Sequence, residues 1–455
     1  MAFSPQTFSV GQVLTAAQMN QVDSNIDAVR SQHANTSAPG DLTDGVMWLD
    51  TNTDTLKIRV DGAWASLFTI SGGAATPANQ GVGTVWGQTL QTNDAASASE
   101  WAGPLMGYKN LCMNAGMDIW QRGTSLAAVA DAGGLADRWR WRKGAGVGVA
   151  TFARVADAPS AELPNAMQLD VTTADASLDA SDFYGVEHLV EGLVARRLLW
   201  GTAAARSATL SFWVKATSTG TYCVALQNSD RSRSYVAAVA VSAANTWERK
   251  EITVSGDTSG TWLADTGVGL RITLCCGSGT TKQGSAGAWT GSDIRCTSAQ
   301  QNIMDNVTGD LRTTGWQLEL GLVATPLDLR PIQTELMLCY RYFWKTFLLD
   351  TTPATNAGQS GAEVARGTPS VSGNSGRAAW NFRPPTPMRD TPTIAIYNPS
   401  AAASNQAYDI NTSTSFGVAA YVVSARHWQI RTSSAVGNPA EAAGIVHCTA
   451  DAELT

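Results

Sequence analysis

The densest concentration of chemically useful side chains is a polar turn flanked by aromatics: Tyr222, Gln227, Asn228, Asp230, Arg231, Arg233 and Tyr235. Flat rings stack on the apolar faces of sugars, while amides, carboxylates and guanidiniums fork onto pairs of hydroxyls. The turn therefore has the makings of a saccharide contact, and the competing reading is an ordinary solvated hairpin end. Trp262 and Trp289 lie in stretches rich in Gly, Ser and Thr, where a large ring is either an exposed platform or an anchor under a long loop. The candidate ligand-contacting residues are thus Tyr222, Asn228, Asp230, Arg231, Tyr235, Trp262 and Trp289. Glu187-His188 with Glu191 is the other group to weigh. On a strand the two carboxylates share a face about 13 Å apart at ~3.3 Å per residue. That exceeds the ~5–9.5 Å of a glycosidase pair. His188 points the other way, and surface strand positions are expected for all three. No G-x-S-x-G, H-E-x-x-H, P-loop or Asp-rich calcium loop occurs. No catalytic residue, metal ligand or cofactor is expected.

The elements that must position these residues read as short strands. Thr209–Lys215, Thr221–Leu226, Tyr235–Val241, Lys250–Val254, Gly269–Cys275 and Gly315–Leu320 alternate or run apolar, separated by Gly, Ser, Asn and Asp turns. That spacing favours a β-sandwich or jelly roll. Trp120, Trp139, Trp213 and Trp316 fall within strand-like motifs and are assigned to its core. Pro331 opens a helix whose face carries Ile332, Leu336, Cys339 and Phe343. Upstream, Thr15–Gln32 predicts a helix with a capping box and a Leu14–Met19 staple. Its Met19, Val22, Ile26 and Val29 form a seam too short to stand alone, which needs a partner surface: either the hairpins that follow, or a second copy or a partner protein. Val46–Leu49, Leu56–Val60 and Ala63–Leu67 form a three-stranded meander, with Asp61-Gly62 as its hairpin turn.

The chain thus divides into residues 1–70 (helix plus meander), a Gly/Ala/Ser-rich linker at 71–108, a jelly roll at 109–348 and a small C-terminal β-sandwich at 352–455. The fold class expected is mainly β. Of the 455 residues 15% are charged, and the net charge is −7, with no basic run of the kind that contacts phosphates. Nucleic acid is not an expected partner. The seven cysteines are odd in number and form no C-x-x-C pair, so neither a zinc site nor a disulfide framework is supported. No secretory signal and no membrane-spanning apolar run is seen, so membrane insertion is not expected.

Several motifs resemble a domain common in phage tail fibres and spikes. They are Asn110-Leu111 with Asn114, Gly116 and Ile119–Thr124, then Leu135–Trp139, Leu210–Ala216, Trp247-Glu248 and Gly256–Trp262. Gln317–Gly321, Ala324-Thr325-Pro326, Leu329-Arg330-Pro331, Glu335-Leu336, Leu338-Cys339 and Arg341-Tyr342 continue in the same order. Phe8–Asn20 is similar to the start of many fibre proteins, and Pro387-Met388-Arg389 with Thr391-Pro392-Thr393 to the first strand of a C-terminal fibre domain. Cys112-Met113, Ala115-Gly116 and Leu327-Asp328 depart from the usual pattern. The resemblance implies a carbohydrate-binding-module-like jelly roll, displayed in several copies and often as a trimer. It also implies a virion protein, assembled in the host cytoplasm. Residues Leu14, Met19, Val22, Ile26 and Val29 would then face other head or tail proteins, while the jelly roll meets a host surface polysaccharide without cutting it. A capsule-degrading tailspike enzyme and a purely structural particle protein are the alternatives.

Overall fold

The computed structural model describes residues 34–35, 47–50, 55–60, 63–71, 74–77, 109–366, 378–433 and 443–454. The chain separates into two units, Met1–Gln91 and Thr92–Thr455. The helix expected over Thr15–Gln32, with Leu14, Met19, Val22, Ile26 and Val29, lies outside the described residues.

The first unit holds a sheet ordered β1 (Ala34–Asn35), β2 (Met47–Asp50), β3 (Thr55–Val60), β4 (Ala63–Ser71) and β5 (Ala74–Pro77). Strands β2 to β4 are the expected meander, and Val60 pairs with Ala63 across the two-residue connection. Strand β5 falls in the stretch read as linker, where small residues hide a strand that pairs antiparallel with β4.

The second unit begins with a β-sandwich of two six-stranded sheets. Its strands are β6 (Ser125–Ala127), β7 (Trp139–Lys143), β8 (Val149–Val155), β9 (Ala166–Thr173), β10 (Phe183–Glu191), β11 (Ala208–Ala216) and β12 (Gly220–Gln227). They continue with β13 (Ser234–Val241), β14 (Glu248–Val254), β15 (Val268–Ser278), β16 (Trp289–Thr290) and β17 (Asp310–Leu320). One sheet runs β14-β11-β17-β9-β8-β6 and the other β16-β13-β12-β15-β10-β7. Period-two alternation sends Leu210, Phe212 and Val214 inward from the first sheet, and Tyr222, Val224, Leu226, Leu270, Ile272 and Leu274 from the second. Between them Phe212 stacks on Trp316 with centroids 4.1 Å apart, and Trp120, Trp139 and Trp141 fill the rest of the interior. Trp213 differs from its assignment: alternation turns it to the outer face of β11, where it is only half-buried. It lies over Gly315, at φ +67°, where an added Cβ would sit 2.9 Å from the indole. The β11–β17 register shifts at that point.

Helix α1 (Gly192–Ala195) follows β10, and α2 (Ile332–Tyr340) follows the sandwich. Pro331 caps α2 rather than starting it, Ile332 is exposed, and only Cys339 is fully buried. Phe343, expected on the helix face, belongs instead to β18 (Phe343–Lys345), which pairs with the last strand of a second sheet system. This contains β19 (Glu363–Arg366), β20 (Ala379–Phe382), β21 (Thr393–Tyr397), β22 (Gln406–Asp409), β23 (Thr414–Ser424), β24 (His427–Thr432) and β25 (Ala443–Asp451). Strand β25 pairs with β18, β19, β21 and β22, and Trp380, Phe382, Trp428 and Ile430 form a separate core. The protein is mainly β, as the sequence leads one to expect. No helix among the described residues is long and apolar enough to cross a membrane.

Candidate functional site

Strands β12 and β13 pair from Gly220–Val241 to Gln227–Ser234, leaving Asn228–Arg233 as the hairpin tip. Asn228 is fully buried and organises the turn. Its Nδ2 donates to Ser232 Oγ (2.9 Å) and Thr261 O (3.1 Å), and its Oδ1 accepts from Arg233 N (2.9 Å). Asp230 accepts from Ser232 N at 3.0 Å and Ser232 Oγ at 2.7 Å, and these bonds hold its carboxyl below the usual range. Both residues do local backbone work of the kind Asn and Asp perform in turns. Tyr222 does not belong to the site at all. It is 0% exposed, points into the core by strand alternation, and donates its hydroxyl to Ser218 O at 2.9 Å. Its ring has no face free for stacking.

The hairpin divides two neighbourhoods. On one side Arg233 forks onto Asp257 (Nε–Oδ2 2.7 Å, Nη2–Oδ1 2.8 Å), tying the tip to the loop that carries Trp262. There three of the separately chosen candidates, Trp262, Trp289 and Tyr235, come together around a ring the sequence did not single out, Trp200. Trp200 meets Trp262 at 4.9 Å and Trp289 at 5.1 Å edge-on, and Tyr235 meets Trp289 at 5.4 Å. The indole N–H groups of Trp200, Trp262 and Trp289 donate to Arg206 O, Ser259 O and Ser255 O. Their polar edges are thereby fixed to backbone, while Trp262, Trp289 and Tyr235 stay part-exposed. Gly201, at φ +84°, lets the chain pass close to Trp262, since an added Cβ would lie 2.9 Å from the ring.

On the other side lies the outer face of the sheet containing β7, β10, β12 and β15. Register places Arg140, Glu187, Thr273 and Ala225 in one row across it, and Leu189, Arg271 and Gln227 in the next. Glu187 is 1% exposed at the centre. Arg140 Nε donates to its Oε2 at 2.7 Å, Arg231 Nη2 to its Oε1 at 3.2 Å, and Arg271 Nη1 lies 3.6 Å from Oε2. Burial by itself would raise this carboxyl, but Arg140, Arg231, Arg271 and Arg142 outweigh it and hold the group below its usual range. Glu191, on the same face, accepts from Arg341 (Nε 2.8 Å, Nη2 2.6 Å) and Tyr342 Oη (2.6 Å). His188 does point the other way, against Trp139 at 4.8 Å, and burial, with Arg138 adding, lowers its pKa well below the ordinary value. The alternation expected on this strand is therefore found, but the expected exposure is not. Glu187 and Glu191 are buried and partnered on the outer face, where Arg140 also bonds Leu454 O and Glu191 is met by Arg341 and Tyr342 after α2, while His188 is buried in the sandwich interior.

Arg122 pairs with Asp137 (3.3 Å), Asp451 (3.2 Å) and Glu453 (3.4 Å), Arg138 pairs with Glu453, and Arg140 Nη1 donates to Leu454 O at 3.3 Å. Arg389 donates to Ala452 O, Glu453 O and Thr266 O. A cavity of about 300 Å³ remains at this junction, lined by Arg122, Arg138, Arg140, Arg142, Asp451 and Glu453 among others. Asp137, buried beside it, is raised to about 6 by burial, with Arg122 opposing. All seven cysteines are buried and free, and no group of three or more His, Cys, Asp or Glu among the described residues is placed to hold a metal ion.

Neither a family model nor a curated protein sequence matches the chain. Solved structures similar to it include the enzymatically active domain of bacteriophage CBA120 tailspike protein 4 (11% identity, TM-score 0.25, covering 43% of this chain and 21% of that one). A family 4 carbohydrate-binding module matches at 14% identity and TM-score 0.25, covering 46% of this chain and 97% of the module. The family 11 module of the Clostridium thermocellum cellulase Lic26A-Cel5E matches at 12% and 0.23, covering 44% and 96%. The matched part is about a fifth of the tailspike chain, and TM-scores this low leave the function to be argued from the chain's own residues.

Proposed function

We propose that this protein is a non-catalytic glycan-binding spike or fibre component of a phage or phage-like particle, attaching it to a host surface polysaccharide. The observation that carries the reading is the part-exposed ring cluster of Trp262, Trp289 and Tyr235, braced by Trp200 beside a hairpin bearing Arg231 and Arg233. Rings whose N–H edges are tied to backbone are pre-ordered, so stacking a sugar on them costs little side-chain entropy. The resemblance of several motifs to phage fibre domains supports the particle context, and display as a trimer would multiply weak single sites through effective concentration. The two carboxylates weighed in the sequence favour binding over cleavage: Glu187 is held below its usual range by Arg140, Arg231, Arg271 and Arg142 against the opposing effect of burial, and Glu191 is engaged by Arg341 and Tyr342.

The test is incubation of the full chain with purified polysaccharide from a bound host, reading retention and polymer length together. Retention with unchanged length is expected. Trp289→Ala and Trp262→Ala should each weaken retention roughly fivefold, for an aromatic contact of ~1 kcal/mol. Shortening of the polymer would replace this reading with that of a capsule-degrading enzyme.

A further inference from the structure

The outer face around Glu187 holds more positive charge than its own acids neutralise, in a protein whose net charge is −7. Arg140, Arg231 and Arg271 share the single carboxylate of Glu187, and among the described residues Arg142 is ion-paired with the more exposed Asp131, at 3.1 Å. The flanking loop adds Lys282 and Arg295 against Asp293 alone. Resting on the glycan-binding reading above, we infer that this arginine row selects an acidic saccharide, gripping a sugar carboxylate with the guanidiniums of Arg140, Arg142, Arg231 and Arg271.

Four observations converge on it. First, donors are left over. Arg231 Nε is buried without a hydrogen-bond partner, and Arg271 Nη1, 3.6 Å from Glu187, is beyond hydrogen-bond reach of it. Buried polar atoms left this way are uncommon unless something else meets them. Second, the face already holds a carboxylate in this manner. Glu187 takes Arg140 and Arg231 on separate oxygens, the geometry in which guanidiniums bind planar two-oxygen anions. Third, Arg231 sits at φ +60°, a left-handed position that Asn or Gly adopts at lower cost, yet it is an arginine aimed across the sheet. Fourth, a cavity of about 300 Å³ is lined by two of the four arginines, Arg140 and Arg142, with Arg231 and Arg271 outside its lining, and its own acids Asp451 and Glu453 are already engaged by Arg122 and Arg138. Its size lies at the lower end of the ~300–1,000 Å³ usual for ligand pockets, enough for a terminal or branch sugar.

The electrostatics agree. Arg271 is pushed down to about 10, first by burial, with Glu187 opposing and Arg231, Arg140 and Arg142 adding. Mutual repulsion among cations in a partly dry site is relieved by a bound anion, so ligand binding and site stability reinforce each other. The same hairpin carries Arg233 toward the ring cluster, which places acid recognition and ring stacking at either side of one turn.

The experiment compares the full chain on immobilised bacterial polysaccharides bearing uronic acids, on the same polymers after carbodiimide–borohydride reduction of their carboxylates to alcohols, and on neutral polymers. The uronate forms should bind roughly tenfold or more tightly than the reduced forms, since each charge-assisted hydrogen bond supplies about that much. The advantage should shrink as ionic strength rises. Arg231→Gln and Arg142→Gln should each remove most of that advantage, read as the ratio of uronate to reduced-polymer binding in the same variant. Arg231→Lys, which keeps the charge and loses the fork, should restore only part of it. Equal binding to acidic, reduced and neutral polymers overturns this inference and leaves glycan attachment standing. Binding to none of them, by a chain with intact strand-rich circular dichroism, overturns both.

Discussion

Glu191 and Arg341 offer the sharpest energetic test of how the C-terminal part is fastened to the sandwich. Glu191 ends β10 and is 1% exposed at its side chain, whereas Arg341, just past α2, is 27% exposed. The carboxylate receives two guanidinium bonds and the Tyr342 hydroxyl, and the Tyr342 ring in turn lies 3.4 Å under the Arg138 guanidinium. The two deletions are therefore unequal. Glu191→Ala removes the buried charge and leaves an arginine that can turn to water. Its cost is that of the lost bonds and an unpartnered phenol, about 1–3 kcal/mol. Arg341→Ala leaves the carboxylate buried with one hydroxyl donor, and breaking a buried pair in this way costs about 3–5 kcal/mol. The more exposed residue should thus be the more costly to lose. The double variant should be less destabilised than the sum by ~1–3 kcal/mol, because removing both partners strands neither. Urea unfolding followed by tryptophan fluorescence measures the three values, and hydrogen exchange of the Ile332–Tyr340 amides assigns which transition moves. An Arg341→Ala loss smaller than that of Glu191→Ala, or strict additivity, would falsify the account.

Further expectations follow from other sites. Asp137, with its folded pKa raised to about 6 from 3.8, binds protons more readily folded than unfolded, so its contribution to stability declines as pH rises from about 4 to 6. Relative to Asp137→Asn, the native chain should lose about 1.4 kcal/mol per pH unit across that window; parallel stability curves would rule this out. Gly279→Ala places a Cβ 1.8 Å from Asp179 O and should cost ~2–3 kcal/mol or more, whereas Gly287→Ala, at φ +88° with nothing within 4 Å, should cost only ~1–2 kcal/mol of backbone strain. Thermal melts of the two variants decide it, and equal shifts would count against the steric argument. Burial pushes the thiols of Cys112 and Cys276 up to about 12. A thiol reagent should therefore label them slowly in the native chain and promptly in urea, and fast native labelling of either would contradict the fold.

Alternation of apolar residues was enough to find the strands and the core. Leu210, Phe212 and Val214 or Leu270, Ile272 and Leu274 can bury together only on a pleated strand, and that periodicity is local. The same rule set Glu187 and Glu191 on one face and His188 on the other. What lies over a face is a different matter, because burial depends on chain distant in sequence. Glu187 and Glu191 read as surface residues until α2 and Asp451–Leu454 fold back over them, and Tyr222 read as a ligand ring until its strand faced inward. Trp262, Trp289 and Tyr235 stood out through their unusual settings, but Trp200, which braces them, carried no local sign. Phe343 looked like the next turn of a helix because β18 is only three residues long and depends on β25 for its pairing. The arginine row shows the division most clearly. Arg140, Arg142, Arg231 and Arg271 are spread over more than a hundred positions, and only cross-strand register brings their charges onto one face.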